Sequence, residues 1–262
     1  MKNKKEQLES ALKQMGSVAV AFSAGVDSTF LLKTARDVLG DNAYAVTVRS
    51  CLIPQADIEE ALRFCEKQGI ALTVIDHDPF TVEEFRDNGK DRCYLCKKAI
   101  FARIKQAAAD LGVNFVLEGT NADDMFDYRP GMKALEELGI RSPLKEAGIT
   151  KEEIRELSRE KGLDTWDKPA FACLATRIPC GTKITPDVIL RIEEAERYLR
   201  DLGFRQYRVR THGDLARIEV MPDDFGRIMQ EDIRIKITDR FKQIGYRYVS
   251  VDLGGYRTGS MN

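Results

Sequence analysis

The apolar run Ala19-Val20-Ala21-Phe22 stops abruptly at Ser23-Ala24-Gly25-Val26-Asp27-Ser28, and apolar residues resume at Phe30-Leu31-Leu32. A strand that breaks into a small polar turn and re-emerges as a helix narrows the architecture, because the helix must bury its apolar face against the strand's own sheet. A turn of this kind can wrap a phosphate with backbone N–H groups, with the positive end of the helix dipole behind them. The Ser23 and Ser28 hydroxyls and the Asp27 carboxylate then stand where phosphate oxygens and Mg²⁺ would sit. On composition alone an ordinary strand-to-helix turn accounts for the pattern as well.

The alternation repeats downstream. Spacing predicts helices over 4–15, 28–38, 56–68 and 94–111, and strands over 18–22, 43–48, 71–75 and from 115. Strands and helices alternating at this interval imply a parallel sheet with helices on both faces, an α/β fold. Ligands of such sheets bind at the carboxyl ends of the strands. Glu118-Gly119-Thr120-Asn121-Ala122-Asp123-Asp124 follows a strand and falls on the same edge as the turn at 23–28, as does Asp76-His77-Asp78. Tyr128-Arg129-Pro130-Gly131 reads as a turn, and Ile140 to Leu144 as a short strand. Thr150-Lys151-Glu152-Glu153 has the form of a capping box opening a helix to about 161. We expect a phosphate-binding α/β domain over 1–165, an irregular linker and active-site loop over 166–185, and a smaller C-terminal α+β domain over 186–262.

A formal net charge of -1 gives no global attraction to nucleic acid, so any anion contact must come from a local patch. No run of eighteen apolar residues suggests a membrane span, and nothing at the N-terminus reads as a signal peptide; the expected location is cytoplasmic. Six cysteines in 262 residues are too few for a disulfide scaffold. Cys51 and Cys65 read as buried small hydrophobes. Cys93 and Cys96 lie among Arg92, Lys97 and Lys98, while Cys173 and Cys180 flank Arg177, which points to sulfur or metal chemistry. Cys-x₂-Cys equally fits zinc, a redox dithiol or plain helical proximity. Two histidines argue against a His-rich zinc site. In an extended segment Arg208 and Arg210 share a face, and with Arg177 they form a set suited to a phosphate, a solvated rim being the other account. His212 follows this pair, and Glu219 lies on the next strand-like segment.

The segment 23–28 resembles the pyrophosphate-binding loop of the N-type ATP pyrophosphatases, whose usual form is Ser-Gly-Gly-x-Asp-Ser. Ala24 replaces the first Gly, which fits if that position needs neither φ above zero nor the closest phosphate approach. An ordered set of motifs carries the resemblance further: Cys93-Tyr94-x-Cys96-Lys97-Lys98, Glu118-Gly119-Thr120-Asn121-x-Asp123-Asp124, Asp127-Tyr128-Arg129-Pro130-Gly131, Arg177-Ile178-Pro179-x-Gly181, Val209-Arg210-x-His212, Ala216-Arg217-Ile218-Glu219 and the closing Asp252-Leu253-Gly254-Gly255-Tyr256-Arg257. Together these are similar to the LarE family, which inserts sulfur into a pyridinium dicarboxylate mononucleotide during nickel-pincer cofactor assembly.

The resemblance implies an adenine nucleotide α-hydrolase-like fold and an enzyme that adenylates a substrate carboxylate with ATP, releases pyrophosphate, and then displaces AMP with sulfur. It assigns Ser23, Gly25, Val26, Asp27 and Ser28 to the pyrophosphate, with Asp27 on Mg²⁺, and gives Gly119 and Asp123 supporting places. Arg177, Arg208, Arg210 and His212 would hold the substrate nucleotide, and Arg177 and Glu219 would serve the sulfur-transfer step. Some family members sacrifice a cysteine to dehydroalanine; others use three cysteines to hold a [4Fe–4S] cluster that carries an extra sulfide. In the sacrificial pattern the donor occupies the place of Ala172 here, so the expectation is a cluster on Cys93, Cys96 and Cys173, with sulfide or another sulfur donor as partner and a homo-oligomeric assembly. The alternatives are the sacrificial route, a tRNA thiolase, or a non-catalytic nucleotide-binding regulator.

Overall fold

The computed structural model describes residues 2–126, 130–169 and 172–257, so the expected turn and motif at Asp127-Tyr128-Arg129 lie outside the described residues. The chain forms two units, one from residues 1–82 and 91–171, the other from 83–90 and 172 onward. No helix among the described residues is long and apolar enough to cross a membrane.

In the first unit, β1 (Val18–Ala21), β2 (Ala43–Arg49), β3 (Leu72–Asp76) and β4 (Phe115–Leu117) form a parallel sheet in the order β3-β2-β1-β4. Alternation along the strands divides its two faces. Val18 and Val20 of β1, with Ala43 and Ala45 of β2, enter one core with Leu8 and Leu12 of α1 (Lys2–Met15) and Phe30, Leu31 and Leu32 of α2 (Val26–Leu39). Ala61 and Cys65 of α3 (Gln55–Gln68) and Ile154 and Leu157 of α7 (Lys151–Glu160) complete that core. Ala19, Val46 and Val48 point the other way, onto Phe101, Ile104 and Ala108 of α4 (Arg92–Asp110) and Leu135 of α5 (Pro130–Glu137). The parallel α/β expectation holds, with helix limits within a few residues of those predicted.

One local expectation fails. Ile140 to Leu144 contributes a single bridge, Leu117 to Arg141, and the chain then enters the one-turn helix α6 (Pro143–Glu146). Proline lacks an N–H to donate and its fixed φ suits the first helical position, so Pro143 ends pairing and starts a helix.

The second unit holds a three-stranded sheet, β5-β6-β7, with β5 (Tyr207–His212) antiparallel to β6 (Leu215–Val220) and β6 parallel to β7 (Tyr248–Val251). Ile189, Ile192, Ala195 and Leu199 of α8 (Pro186–Asp201) are buried, as are Val209, Ile218 and Val220 of the sheet. The short α9 (Phe225–Ile228) and α10 (Glu231–Ile244) add Ile228, Ile237 and Phe241. Residues 83–90 join this unit through Asn88, whose side-chain amide donates to the carbonyls of Pro179 (2.8 Å) and Thr182 (3.0 Å).

The capping box at the start of α7 is formed in both directions. Glu153 N donates to Thr150 Oγ1 at 3.3 Å, and Thr150 N donates to Glu153 Oε2 at 2.9 Å. Removing the hydroxyl orphans one donor of the first turn, so Thr150→Ala is expected to lower stability by about 1 kcal/mol, measured by urea unfolding followed by circular dichroism.

Candidate active site

The loop after β1 hangs from the sheet by two bonds: Phe22 N donates to Val46 O at 2.9 Å, and Thr47 Oγ1 donates to Phe22 O at 2.8 Å. Gly25 is the N-cap of α2 and supplies no side-chain acceptor, so the first-turn amides remain available to an anion. The Ser23 and Ser28 hydroxyls lie 3.1 Å apart, and Ser28 Oγ donates to Gly25 O at 3.3 Å. Val26 is buried in the core and anchors the turn from below. Ala24 adopts φ 53°, so the condition under which alanine would sit there without strain is not met. A left-handed alanine costs about 1 kcal/mol relative to its right-handed state.

The second polar turn packs directly on this loop. A β-carbon on Gly119 would lie 3.0 Å from Ser28 N and 3.2 Å from Asp27 Cβ, so any side chain there would force the two turns apart. Glu118 is buried and its carboxylate is used locally, accepting from Thr120 N (3.0 Å), Thr120 Oγ1 (2.7 Å) and the Ser142 hydroxyl. Asn121 Nδ2 donates to Asp27 Oδ1 at 3.5 Å, and Asp123 Oδ2 accepts from Lys151 N at 2.7 Å.

Two lysines complete this site, and neither stands out in the sequence. Lys151, seen there only as part of a helix cap, places Nζ 2.6 Å from Asp27 Oδ2. Lys168 donates to Ala24 O (3.0 Å) and also meets Asp57 (3.1 Å) and Glu60 (2.8 Å) of α3. The signals that could have found them are the cap position of Lys151 and the placement of Lys168 in the least regular stretch of the chain. One strand over, at the ends of β2 and β3, lies an open groove of about 510 Å³ lined by Arg49, Ser50, Asp76, His77, Asp78 and Arg103. Burial and the Arg103 guanidinium hold the His77 imidazole below the ordinary histidine range, against the opposing pull of Asp78.

The second unit concentrates charge around β5. Arg177 is fully buried and spends its guanidinium internally. It forms a fork with Glu196 (2.8 and 2.9 Å) and donates from Nη1 to Ala172 O (2.7 Å), Cys173 O (3.1 Å) and Thr176 Oγ1 (2.9 Å). Burial opposes that charge, but the Glu196 carboxylate outweighs it and raises the Arg177 pKa. Glu196 also accepts from Val209 N at 2.9 Å; in the sequence it is one acid among several on α8, and nothing there marks it as internal. Arg210 Nη2 donates to buried Glu219 at 2.8 Å, and Arg217 approaches the same carboxylate at 3.3 Å. Arg208 lies over the Tyr256 ring at 4.9 Å and donates to Tyr207 O at 2.6 Å. Burial and the neighbouring Arg177 push its guanidinium down to about 10. Exposed His212 accepts from Arg217 Nε at 3.4 Å, and partial burial with Arg217 lowers its pKa. The expected shared face for Arg208 and Arg210 is thus buried in a charge network, with Arg177 set to grip the backbone at Cys173.

Cys93 and Cys96 stand one turn apart in α4, with Arg92 Nη2 3.3 Å from Cys93 Sγ. Cys173 is the N-cap of a one-turn 3₁₀ helix at Leu174–Arg177, and Cys180 is exposed with Sγ 3.4 Å from Asn88 O. Among the described residues no group of three or more His, Cys, Asp or Glu side chains gathers to hold a metal ion. Of the ligands expected for a cluster, Cys93 and Cys96 lie in the first unit and Cys173 in the second. Cys65 is buried, which pushes its thiol up to about 12, whereas Cys51, expected to be buried, is exposed.

Comparison with known proteins yields whole-length relatives. The chain is 41% identical over 260 residues to the pyridinium-3,5-bisthiocarboxylic acid mononucleotide synthase of Lactiplantibacillus plantarum, covering 99% of this chain and 94% of that protein. It is 39% identical to an uncharacterised protein of Synechocystis over 262 residues, covering 100% and 98% respectively. An uncharacterised protein of Methanocaldococcus jannaschii is 30% identical over 92% of this chain and 91% of its own length. The NAD synthase family profile matches residues 1–111, the stretch that holds the loop at 23–28.

Removing charge from the buried network exposes its interdependence. Arg210→Met strands part of the Glu219 charge and is expected to destabilise the protein by about 3 kcal/mol. Chemical denaturation of the variant beside the unaltered protein checks the sign and size.

Proposed function

The chain belongs to the LarE-like family of ATP-dependent sulfur-transfer enzymes within the PP-loop, or N-type ATP pyrophosphatase, superfamily, and from this we propose that it converts carboxylates of a pyridinium-3,5-dicarboxylate mononucleotide to thiocarboxylates. Near-complete coverage of the Lactiplantibacillus plantarum synthase carries the reading. The loop at 23–28 is suited to its first half, since its backbone amides and the dipole of α2 meet the β- and γ-phosphates of ATP. The groove at the ends of β2 and β3 gives the adenosine end room beside that loop.

In the first step a substrate carboxylate oxygen attacks the α-phosphorus, the bond to the β-phosphate bridging oxygen breaks, and pyrophosphate leaves with its electron pair. Asp27 is the residue to hold Mg²⁺, which when bound offsets phosphate charge and polarises the phosphoryl oxygens. Lys151, resting on Asp27, is placed to follow the negative charge onto the phosphates as it develops, a fixed cation of the kind that stabilises transition states. Arg208 and Arg210 serve the substrate phosphate.

For the second step we assign the sulfur to Cys173, whose backbone Arg177 and Thr176 hold. Its thiolate attacks the acyl carbon and AMP leaves with the bonding pair, giving a thioester. Loss of the Cys173 Cα proton to a solvent base and cleavage of Cβ–Sγ then release the thiocarboxylate and leave dehydroalanine.

Pyrophosphate release and thiocarboxylate formation separate these assignments. Lys151→Met is expected to slow pyrophosphate release about a hundredfold without unfolding the protein; an unchanged rate removes Lys151 from the chemistry. Cys173→Ser is expected to keep pyrophosphate release and lose thiocarboxylate, and turnover of the unaltered protein should reduce its intact mass by one H₂S. Iron in a stoichiometry of about four per chain after anaerobic reconstitution, lost on substituting Cys93 or Cys96, would replace the sacrificial step with a cluster.

A further inference from the structure

Lys168 is bound by three groups from two elements of the first unit at once. Its ammonium meets the Ala24 carbonyl, Asp57 and Glu60, and only 17% of its side chain is exposed. The backbone carrying it is fixed in turn: Arg155 of α7 donates to Trp166 O at 2.6 Å and Lys168 O at 3.0 Å, and Lys168 N donates to Thr165 O at 3.0 Å. A side chain so restrained has little freedom left, and the two carboxylates hold its charge in place. The one neutral acceptor it touches is the carbonyl of the strained residue in the phosphate loop.

Ala24 is left-handed at φ 53°, and its methyl is buried in the core with 1% exposure. Relaxing φ to negative values would swing the Ala24 peptide and re-aim the Gly25 N–H, one of the groups that faces phosphate. A backbone conformation that costs free energy persists only where its surroundings over-determine it. Here a charge-assisted bond to the Ala24 carbonyl is the polar contact suited to that task.

We propose that Lys168 is a positioning residue for the nucleotide: it locks Ala24 in the left-handed conformation and so keeps the amides of the phosphate loop aimed at the pyrophosphate. Lys168 acts through the backbone and does not itself need to touch ATP. The proposal rests on the reading of the 23–28 loop as an ATP site. It also accounts for how alanine functions where the superfamily pattern has glycine. Glycine adopts this conformation at no steric cost, so a glycine loop has less need of the tether.

The test is calorimetric binding of Mg²⁺ with the non-cleavable analogue α,β-methylene-ATP to the full-length protein. Lys168→Met is expected to weaken binding about tenfold, the loss of one charge-assisted hydrogen bond. Adding Ala24→Gly to that variant is expected to recover most of the loss. Lys168→Gln, which keeps an N–H donor, should fall between, and serves if the methionine variant does not fold by its thermal melt. Unaltered affinity in Lys168→Met or, should it fail to fold, in Lys168→Gln overturns the proposal. So does a loss that Ala24→Gly leaves uncorrected, since Lys168 would then act by its charge alone. Failure of the unaltered protein to bind the analogue would instead overturn the ATP reading itself, and this proposal with it.

Discussion

The missing β-carbon at Gly119 is the constraint on which the nucleotide-facing edge of the first unit depends. With β1 seated between β2 and β4, the turns that follow β1 and β4 emerge side by side. They can close on each other only if one gives up its side chain, since an added carbon would meet Ser28 N at 3.0 Å. Everything else at this edge follows from that closeness: Asn121 reaches Asp27, and Asp123 receives the first amide of α7, which carries Lys151 to the same carboxylate. Sheet order thus supplies proximity, and one absent methyl allows it to be used.

The second unit solves a different problem. Arg177, Arg208 and Arg210 crowd against Glu196 and Glu219, all almost without exposure. Buried ion pairs of this sort seldom stabilise more than a well-packed apolar substitute would. Their persistence is better understood as a demand of chemistry on a small domain. Arg177 spends its capacity on the backbone around Cys173, which gives a short irregular segment the rigidity that a helix or strand would otherwise supply. Arg208 is held over the Tyr256 ring.

Much of the fold was legible because it is local. The continuous apolar run Val18-Ala19-Val20, the capping box at Thr150 and the polar break at Ser23 each announce themselves within a few residues. The site was legible only in part. Ser23 to Ser28 could be found because a phosphate loop is contiguous, whereas Lys151 and Lys168 act on residues 124 and 144 positions away, and nothing in their own neighbourhoods says so. Glu196 sits on an amphipathic helix among other acids, and only the path of β5 makes it an internal partner. The handedness of Ala24 was hidden for the opposite reason: residue type argued against it, and tertiary bonds prevailed. At Pro143 a backbone rule outweighed a short segment that read as a strand.

The first turn of α7 has a consequence for handling the protein. Glu153, which closes the capping box, also accepts Lys4 Nζ of α1 at 2.8 Å, and two residues earlier Lys151 rests on Asp27. The extreme N-terminal helix is thereby fastened to the same half-turn that presents a lysine to the nucleotide loop. Fusion partners, affinity tags or trimming at that end are not innocent of the chemistry: anything that unseats Lys4 loosens the footing of Lys151, far away in sequence but one helical turn away in mechanics.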